Sequence, residues 1–140
     1  MAYWLMKTEP EEFSYDDLER KGLEPWNGVR NPTALKHLRA LAEGDLFLFY
    51  HTGNVRAVVG VGRIAHAAYP DPSESDERFV VVDTVPAYRF VTPVTLGAIK
   101  ADERFAGWEL VRQSRLSVMP VPPELWQAIH AMGNTEERGV

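Results

Sequence analysis

Residues 45–51 (Asp45-Leu46-Phe47-Leu48-Phe49-Tyr50-His51) hold an unbroken apolar run from Leu46 to Tyr50. The length and the aromatic content suit a strand. A strand with almost no polar face is covered on both sides. The chain must therefore place further layers above and below this segment. At 140 residues it is long enough for one domain with one core. Its 45% hydrophobic content is enough to fold unaided.

The rest of the pattern is short strands with short helices between them. Residues 2–7 read as a first strand, ended by Pro10. Residues 56–66 form another, in which Gly60 and Gly62 fall on one face. Two glycines there mark close approach, a sharp coil or a bulge. Residues 79–85 are rich in Val, Pro86 interrupts them, and 87–91 continue on an edge. Residues 109–112 and 116–121 read as extended. Ser14 with Asp16 and Asp17 starts a short helix to about Lys21, stopped by Gly22. Leu35, Leu38, Leu41 and Ala42 recur at helical spacing over 32–42, and Gly44 ends that helix. Thr95 to Ala101 suggests another short helix, and Pro122-Pro123-Glu124 opens a last one to about Met132. Residues 134–140 are expected to fray. The expected class is α+β, mainly β: a small barrel of five or six strands with short flanking helices.

Charge limits the partners. There are 15 basic against 20 acidic residues, a net charge of −5. A protein that coats duplex backbone carries the opposite balance, so any contact with nucleic acid is local. Basic residues gather at Arg30, Lys36, His37 and Arg39, and again at Arg112 and Arg115. If the two clusters meet in space they form a basic rim; otherwise they are ordinary solvated charge. No apolar run is long enough to span a bilayer. Zero cysteines exclude disulfides, thiolate metal sites and a cysteine nucleophile. A reducing cytoplasm fits, or the nucleus in a eukaryote.

One segment points to a ligand. Trp26-Asn27-Gly28-Val29-Arg30-Asn31-Pro32 sets a large aromatic and a flexible turn before the 32–42 helix. Asn31 has the chemistry of an N-cap, and Pro32 suits the first helical position. The free N–H groups of a helix start receive anions or carbonyl oxygens. Trp26 beside them offers a flat wall for a heteroaromatic ligand. The segment reads equally as a capped helix behind a core tryptophan. His51, after Tyr50, is either an acid/base or donor group at a strand end or a hydrogen-bonded structural histidine. Lys7-Thr8-Glu9 brings an amine, a hydroxyl and a carboxylate, but neighbours on an extended segment point to alternate faces. Ser114 can bind a ligand edge; its spacing makes no case for a nucleophile. His37, His66 and His130 lack partners at metal-ligand spacing. No nucleophile elbow, Walker loop or dinucleotide fingerprint is present. Neither catalytic residues nor a metal or cofactor are expected.

Five stretches together resemble the EVE domain family: Tyr3-Trp4-Leu5-Met6-Lys7-Thr8-Glu9-Pro10, Trp26-Asn27-Gly28-Val29-Arg30-Asn31, Gly44-Asp45-Leu46-Phe47-Leu48-Phe49-Tyr50-His51, Ala68-Tyr69-Pro70-Asp71-Pro72, and Leu110-Val111-Arg112-Gln113-Ser114-Arg115-Leu116-Ser117-Val118. They cover nearly the whole chain, as one EVE domain over 1–133. The resemblance implies a PUA-like fold and kinship with YTH and ASCH domains. It implies non-enzymatic binding of a modified nucleobase in DNA or RNA, above all a modified cytosine. By analogy with the aromatic cage of YTH relatives, the pocket would use Trp26, Asn31, Tyr50 and His51. Lys7 and Ser114 would add polar contacts, with Arg30, Lys36, Arg112 and Arg115 as the nucleic-acid rim. Pro32 departs from the family, which commonly has an aromatic there. The rival reading is an amidohydrolase-like enzyme on modified nucleosides, as among ASCH relatives. It would use Lys7 and Thr8 with a carboxylate from elsewhere. A third is a protein-interaction module.

Overall fold

A computed structural model describes residues 2–138. Its strands are β1 (Tyr3–Thr8), β2 (Glu24–Trp26), β3 (Leu46–His51), β4 (Ala57–Pro70), β5 (Val80–Thr95) and β6 (Val118–Pro120). Its helices are α1 (Tyr15–Lys21), α2 (Pro32–Ala40), α3 (Leu96–Lys100), α4 (Glu109–Arg112) and α5 (Pro123–Met132), with a 3-10 turn over Glu103–Phe105. The strands form one curled, mixed sheet in the order β2-β5-β4-β3-β1-β6. β1 runs parallel to β3, and the other pairs are antiparallel. The mainly β class with short flanking helices is as the sequence implies.

β3 lies inside the sheet, and Leu46 to Tyr50 are all buried. Both faces are covered, as its composition demands. On one face Phe47 and Phe49 lie beneath Tyr15 and Trp26. On the other, Tyr3 stacks on Trp126 of α5, centroids 4.2 Å apart. Asp45 is 5% exposed and ties two segments, the N-terminal strand and the end of α2, at the entry to β3. Its carboxylate accepts from Trp4 Nε1 at 3.0 Å, Ala42 N at 2.9 Å and Ala2 N at 3.1 Å.

The glycine pair behaves as its spacing implies. A Cβ on Gly62 would overlap the Phe47 ring, and one on Gly60 would sit 2.9 Å from both the Tyr15 ring and the Tyr88 carbonyl. The β4–β5 register shifts between Val58 and Gly60 and between Val61 and Gly62, which bends both strands. β4 runs on to Pro70, beyond the expected end at 66. β5 is continuous through Pro86. Proline has no N–H to donate, but β2 pairs only with 82–84, so that side of Pro86 lies beyond the ladder.

Two local expectations are corrected. Residues 109–112 form α4, not a strand. The Trp108 indole donates to Pro120 O at 3.0 Å, and the Trp108 carbonyl accepts from Val111 N and Arg112 N. That anchor selects one helical turn over the extended alternative. α2 ends at Ala40, because the N–H of Ala42 goes to Asp45 instead of continuing the helix. Three hydrogen bonds link the end of the chain to the sheet. Thr92 N donates to Gly133 O, Val91 N to Thr135 Oγ1 and Arg138 N to the Tyr88 hydroxyl. Residues 139–140 of the expected frayed segment lie outside the described residues.

His130 closes this end of the core. It is 2% exposed; Nδ1 donates to Trp126 O at 2.8 Å, and in the neutral ring Nε2 accepts from the Tyr88 hydroxyl, also at 2.8 Å. His51 Nε2 likewise accepts from Tyr15 N, at 3.2 Å. Burial holds both imidazoles below their ordinary value of 6.5. The unfolded chain therefore binds more protons than the folded one once the pH drops below that value. Stability is expected to be full above pH 6.5, to fall below it as acid protonates the unfolded chain, and to level off once the folded rings are protonated too. Thermal melts between pH 8 and 5 check this (range chosen around the histidine value). The slope is expected to shrink in His130→Gln.

Candidate functional site

A cleft of about 550 Å³ opens where β1 ends. Its walls are the β1 end (Lys7, Thr8, Glu9), the turn into α1 (Glu12, Phe13) and the segment from Glu24 to Arg30, with Asp17, Lys21 and Ser117 completing it. The α1 wall is held by a capping box: Ser14 and Asp17 exchange side-chain and backbone hydrogen bonds. The β2 wall is tied to β5, where Thr84 Oγ1 donates to Glu24 O at 2.8 Å. Gly28 turns the chain at φ +79°, in the left-handed region that suits glycine.

The floor is aromatic. Phe13 meets Trp26 edge-to-face at 6.3 Å, and Trp26 rests on Phe47 and Phe49 at 5.7 and 5.4 Å. Trp26 is only 6% exposed. It is core and cleft wall at once, and the cleft meets a strip of the indole rather than a free ring face. The charges around the floor are mixed: Lys7, Lys21 and Arg30 against Glu9, Glu12, Asp17 and Glu24. Such walls suit a ligand with both donors and acceptors better than a bare polyanion.

Lys7 is the most distinctive polar group. Its Nζ donates to Ser114 O at 3.0 Å and stands 5.6 Å from the centre of the Tyr50 ring. Burial lowers the pKa of its amine. Through Lys7 the cleft adjoins a second recess of about 300 Å³, lined by Asn31, Thr33, Gln113, Ser114 and the basic pair Arg112 and Arg115. The start of α2 and the 112–116 loop thus meet in space. Asn31 is the cap its sequence position implies: Oδ1 accepts from Thr33 N at 2.9 Å and Ala34 N at 3.1 Å.

The expected site residues therefore divide. Lys7, Trp26 and Arg30 share the cleft; Asn31, Ser114, Arg112 and Arg115 share the recess. Tyr50 and His51 line neither. Adjacent strand residues face opposite sides: Tyr50 turns toward Lys7, while His51 packs against Phe49 and holds Tyr15 N. Lys36 is exposed on α2, outside both cavities. Sequence reasoning missed Phe13 and Ser117, which carry no local signal. Among the described residues no cluster of His, Asp and Glu is placed to hold a metal ion, and no helix is long and apolar enough to cross a membrane.

Known proteins bear on this geometry. Thymocyte nuclear protein 1 of Rattus norvegicus is 29% identical over 96% of this chain and 74% of its own length. The solution structure of Rpa0253 from Rhodopseudomonas palustris is 42% identical and superposes with a TM-score of 0.92, covering 99% of this chain and 97% of that one. The human THYN1 protein, solved in complex with DNA containing 5-methylcytosine, is 26% identical with a TM-score of 0.86, covering 98% and 100%. The EVE domain model matches residues 2–132, nearly the whole fold including both cavities, and the chain belongs to that family.

Proposed function

We propose that this chain binds a modified nucleobase in DNA, a modified cytosine, and does so without chemistry. The observation that carries the reading is the full-length likeness to human THYN1, solved with 5-methylcytosine DNA. The cleft offers what such a base needs. It is within the size range of small-molecule sites, with the Trp26–Phe13 floor for the apolar face and a mixed polar wall for the edge. Lys7 and Arg30 act from the cleft, Asn31 and Ser114 from the adjoining recess, and Arg112, Arg115 and Lys36 along the strand. Tyr50 and His51 act from behind, Tyr50 by seating Lys7 and His51 by fixing the start of α1. Aromatic contact with a base is worth about 1–3 kcal/mol. Extracting a paired base costs a few kcal/mol, so single-stranded or already flipped bases are preferred.

Calorimetric titration with a panel of cytosine nucleosides, followed by chromatography of the mixtures, tests this. Saturable binding of a modified cytosine with the nucleoside recovered intact is expected. Conversion would establish the amidohydrolase alternative instead, and no binding of any nucleoside would end the reading. Matched DNA and RNA strands in the same assay decide between the two nucleic acids.

Asn31 provides a sharper check. Its cap uses only the side-chain oxygen, so the amide nitrogen remains a donor. Asn31→Asp is expected to keep near-normal stability, because aspartate caps as well, while binding weakens sharply. Asn31→Ala is expected to lose about 1 kcal/mol of stability with its cap. Equal binding by Asn31→Asp and the parent would reduce Asn31 to a cap.

A further inference from the structure

The chain has one more feature that this reading leaves unused. Between α2 and the β4–β5 loop lies a recess of about 390 Å³, lined by Arg30, Pro32, Leu35, Arg39, Arg78 and Phe79. Three guanidinium groups converge there on a protein of net charge −5. They are oriented, not loose. Arg30 stacks on the Phe79 ring at 4.2 Å, Arg78 stands 5.8 Å from the same ring, and Arg39 Nη2 donates to Arg78 O at 2.5 Å. Stacking leaves the edge of a guanidinium fork free for paired oxygens.

Those oxygens are supplied from within. The loop is acidic, and Glu74 Oε2 sits 2.7 Å from Arg30 Nη2. Asp76 holds Arg78 through both carboxylate oxygens, at 2.7 to 3.2 Å. A carboxylate and a phosphate present the same paired oxygens to an arginine. Arg30 lines both this recess and the base cleft, so the two adjoin at that residue.

We infer that the recess seats a backbone phosphate of the DNA strand whose base enters the cleft, and that Glu74 occupies the phosphate's place on Arg30 until the strand arrives. The inference rests on the base-binding reading for its partner. It names a contact separate from the recess that holds Arg112 and Arg115. It also makes the acidic loop a built-in competitor. Weak strands are turned away, and a strand is admitted when its base contributes as well.

The test uses two probes: the nucleoside 5-methyldeoxycytidine, which has no phosphate, and a short single-stranded DNA containing that base. Glu74→Gln is expected to raise affinity for the strand about two- to fivefold, the range of an exposed ion pair. It is expected to leave the slope of log affinity against log salt nearly unchanged, because the same phosphates are engaged in the complex with and without Glu74. Arg78→Ala is expected to lower strand affinity. Neither change should alter nucleoside binding. Glu103→Gln, which removes an equal charge from the 3-10 turn and lines neither cavity, is the control. If Glu103→Gln raises strand affinity as much as Glu74→Gln, the effect is general charge and the seat is overturned. Unchanged strand binding in Arg78→Ala overturns it too, as does a parent that binds no strand at low salt. If the strand responses appear but the nucleoside does not bind, the seat stands and the base-binding reading falls.

Discussion

Replacing Trp26 by alanine is expected to cost about 3–5 kcal/mol of stability, the range for emptying a buried tryptophan site, together with ligand affinity. The sequence allows Trp26 to be either a pocket wall or a core residue, and the structure makes it both. Its indole is 6% exposed and makes edge-to-face contacts with Phe13, Phe47 and Phe49. Removing it opens a cavity beneath the cleft floor, between β2 and the centre of the sheet. Phe13 is only partly buried and loses one of its two aromatic partners. A simple loss of binding with an unchanged melt is therefore not the expected result. Trp26→Phe separates the two roles. It keeps most of the packing volume, so it is expected to fold, yet it removes one of the two indole rings from a residue that lines the cleft. Denaturant titration and nucleoside binding on both variants decide. A Trp26→Ala protein as stable as the parent would mean the aromatic cluster collapses without penalty. A Trp26→Phe protein that binds as well as the parent would remove the indole from the site.

The sequence shows the sheet more clearly than the cleft, for a physical reason. Strand and cap signals are local. The apolar run of β3, the Asn31 cap and the paired glycines of β4 each declare themselves within a few residues, and each is found where it is expected. The cleft is assembled from segments far apart in sequence. Lys7 reaches the carbonyl of Ser114, and Arg30 meets Glu74; no periodicity encodes either pair. α4 is a related case. Four residues are too few to show a helical period although Glu109, Leu110 and Arg112 are good helix formers, and the Trp108 anchor to Pro120 fixes their conformation. Tyr50 and His51 teach a different lesson. As neighbours on a strand they point to opposite faces, Tyr50 toward Lys7 and His51 toward Tyr15, and neither lines the cleft.

Gly62→Val is the second change with a large expected effect, about 2–3 kcal/mol of destabilisation, toward the upper end for overpacking a core. Gly62 pairs with Phe47 across the β3–β4 ladder, and the Phe47 ring lies over the space where a side chain would begin. Phe47 is fully buried, 6.3 Å from Phe49 and 5.7 Å from Trp26, so the ring has no open direction in which to move. Displacing it pushes Trp26 toward the cleft. The variant is therefore expected to weaken nucleoside binding although residue 62 does not line the cavity. Gly97→Val tests the alternative that any glycine-to-valine change is harmful, because the only neighbour near a new Cβ there is Thr95 Oγ1 at 3.9 Å. That variant is expected to be nearly neutral in both assays. Phe47→Leu should be destabilising alone but less so beside Gly62→Val, since the smaller side chain vacates the disputed space. A cycle of the two single variants and the double, read by denaturant melts, measures that coupling. Strict additivity would mean that the valine is accommodated elsewhere in the sheet. It would also mean that the contact between Gly62 and Phe47 does not set the height of the cleft floor.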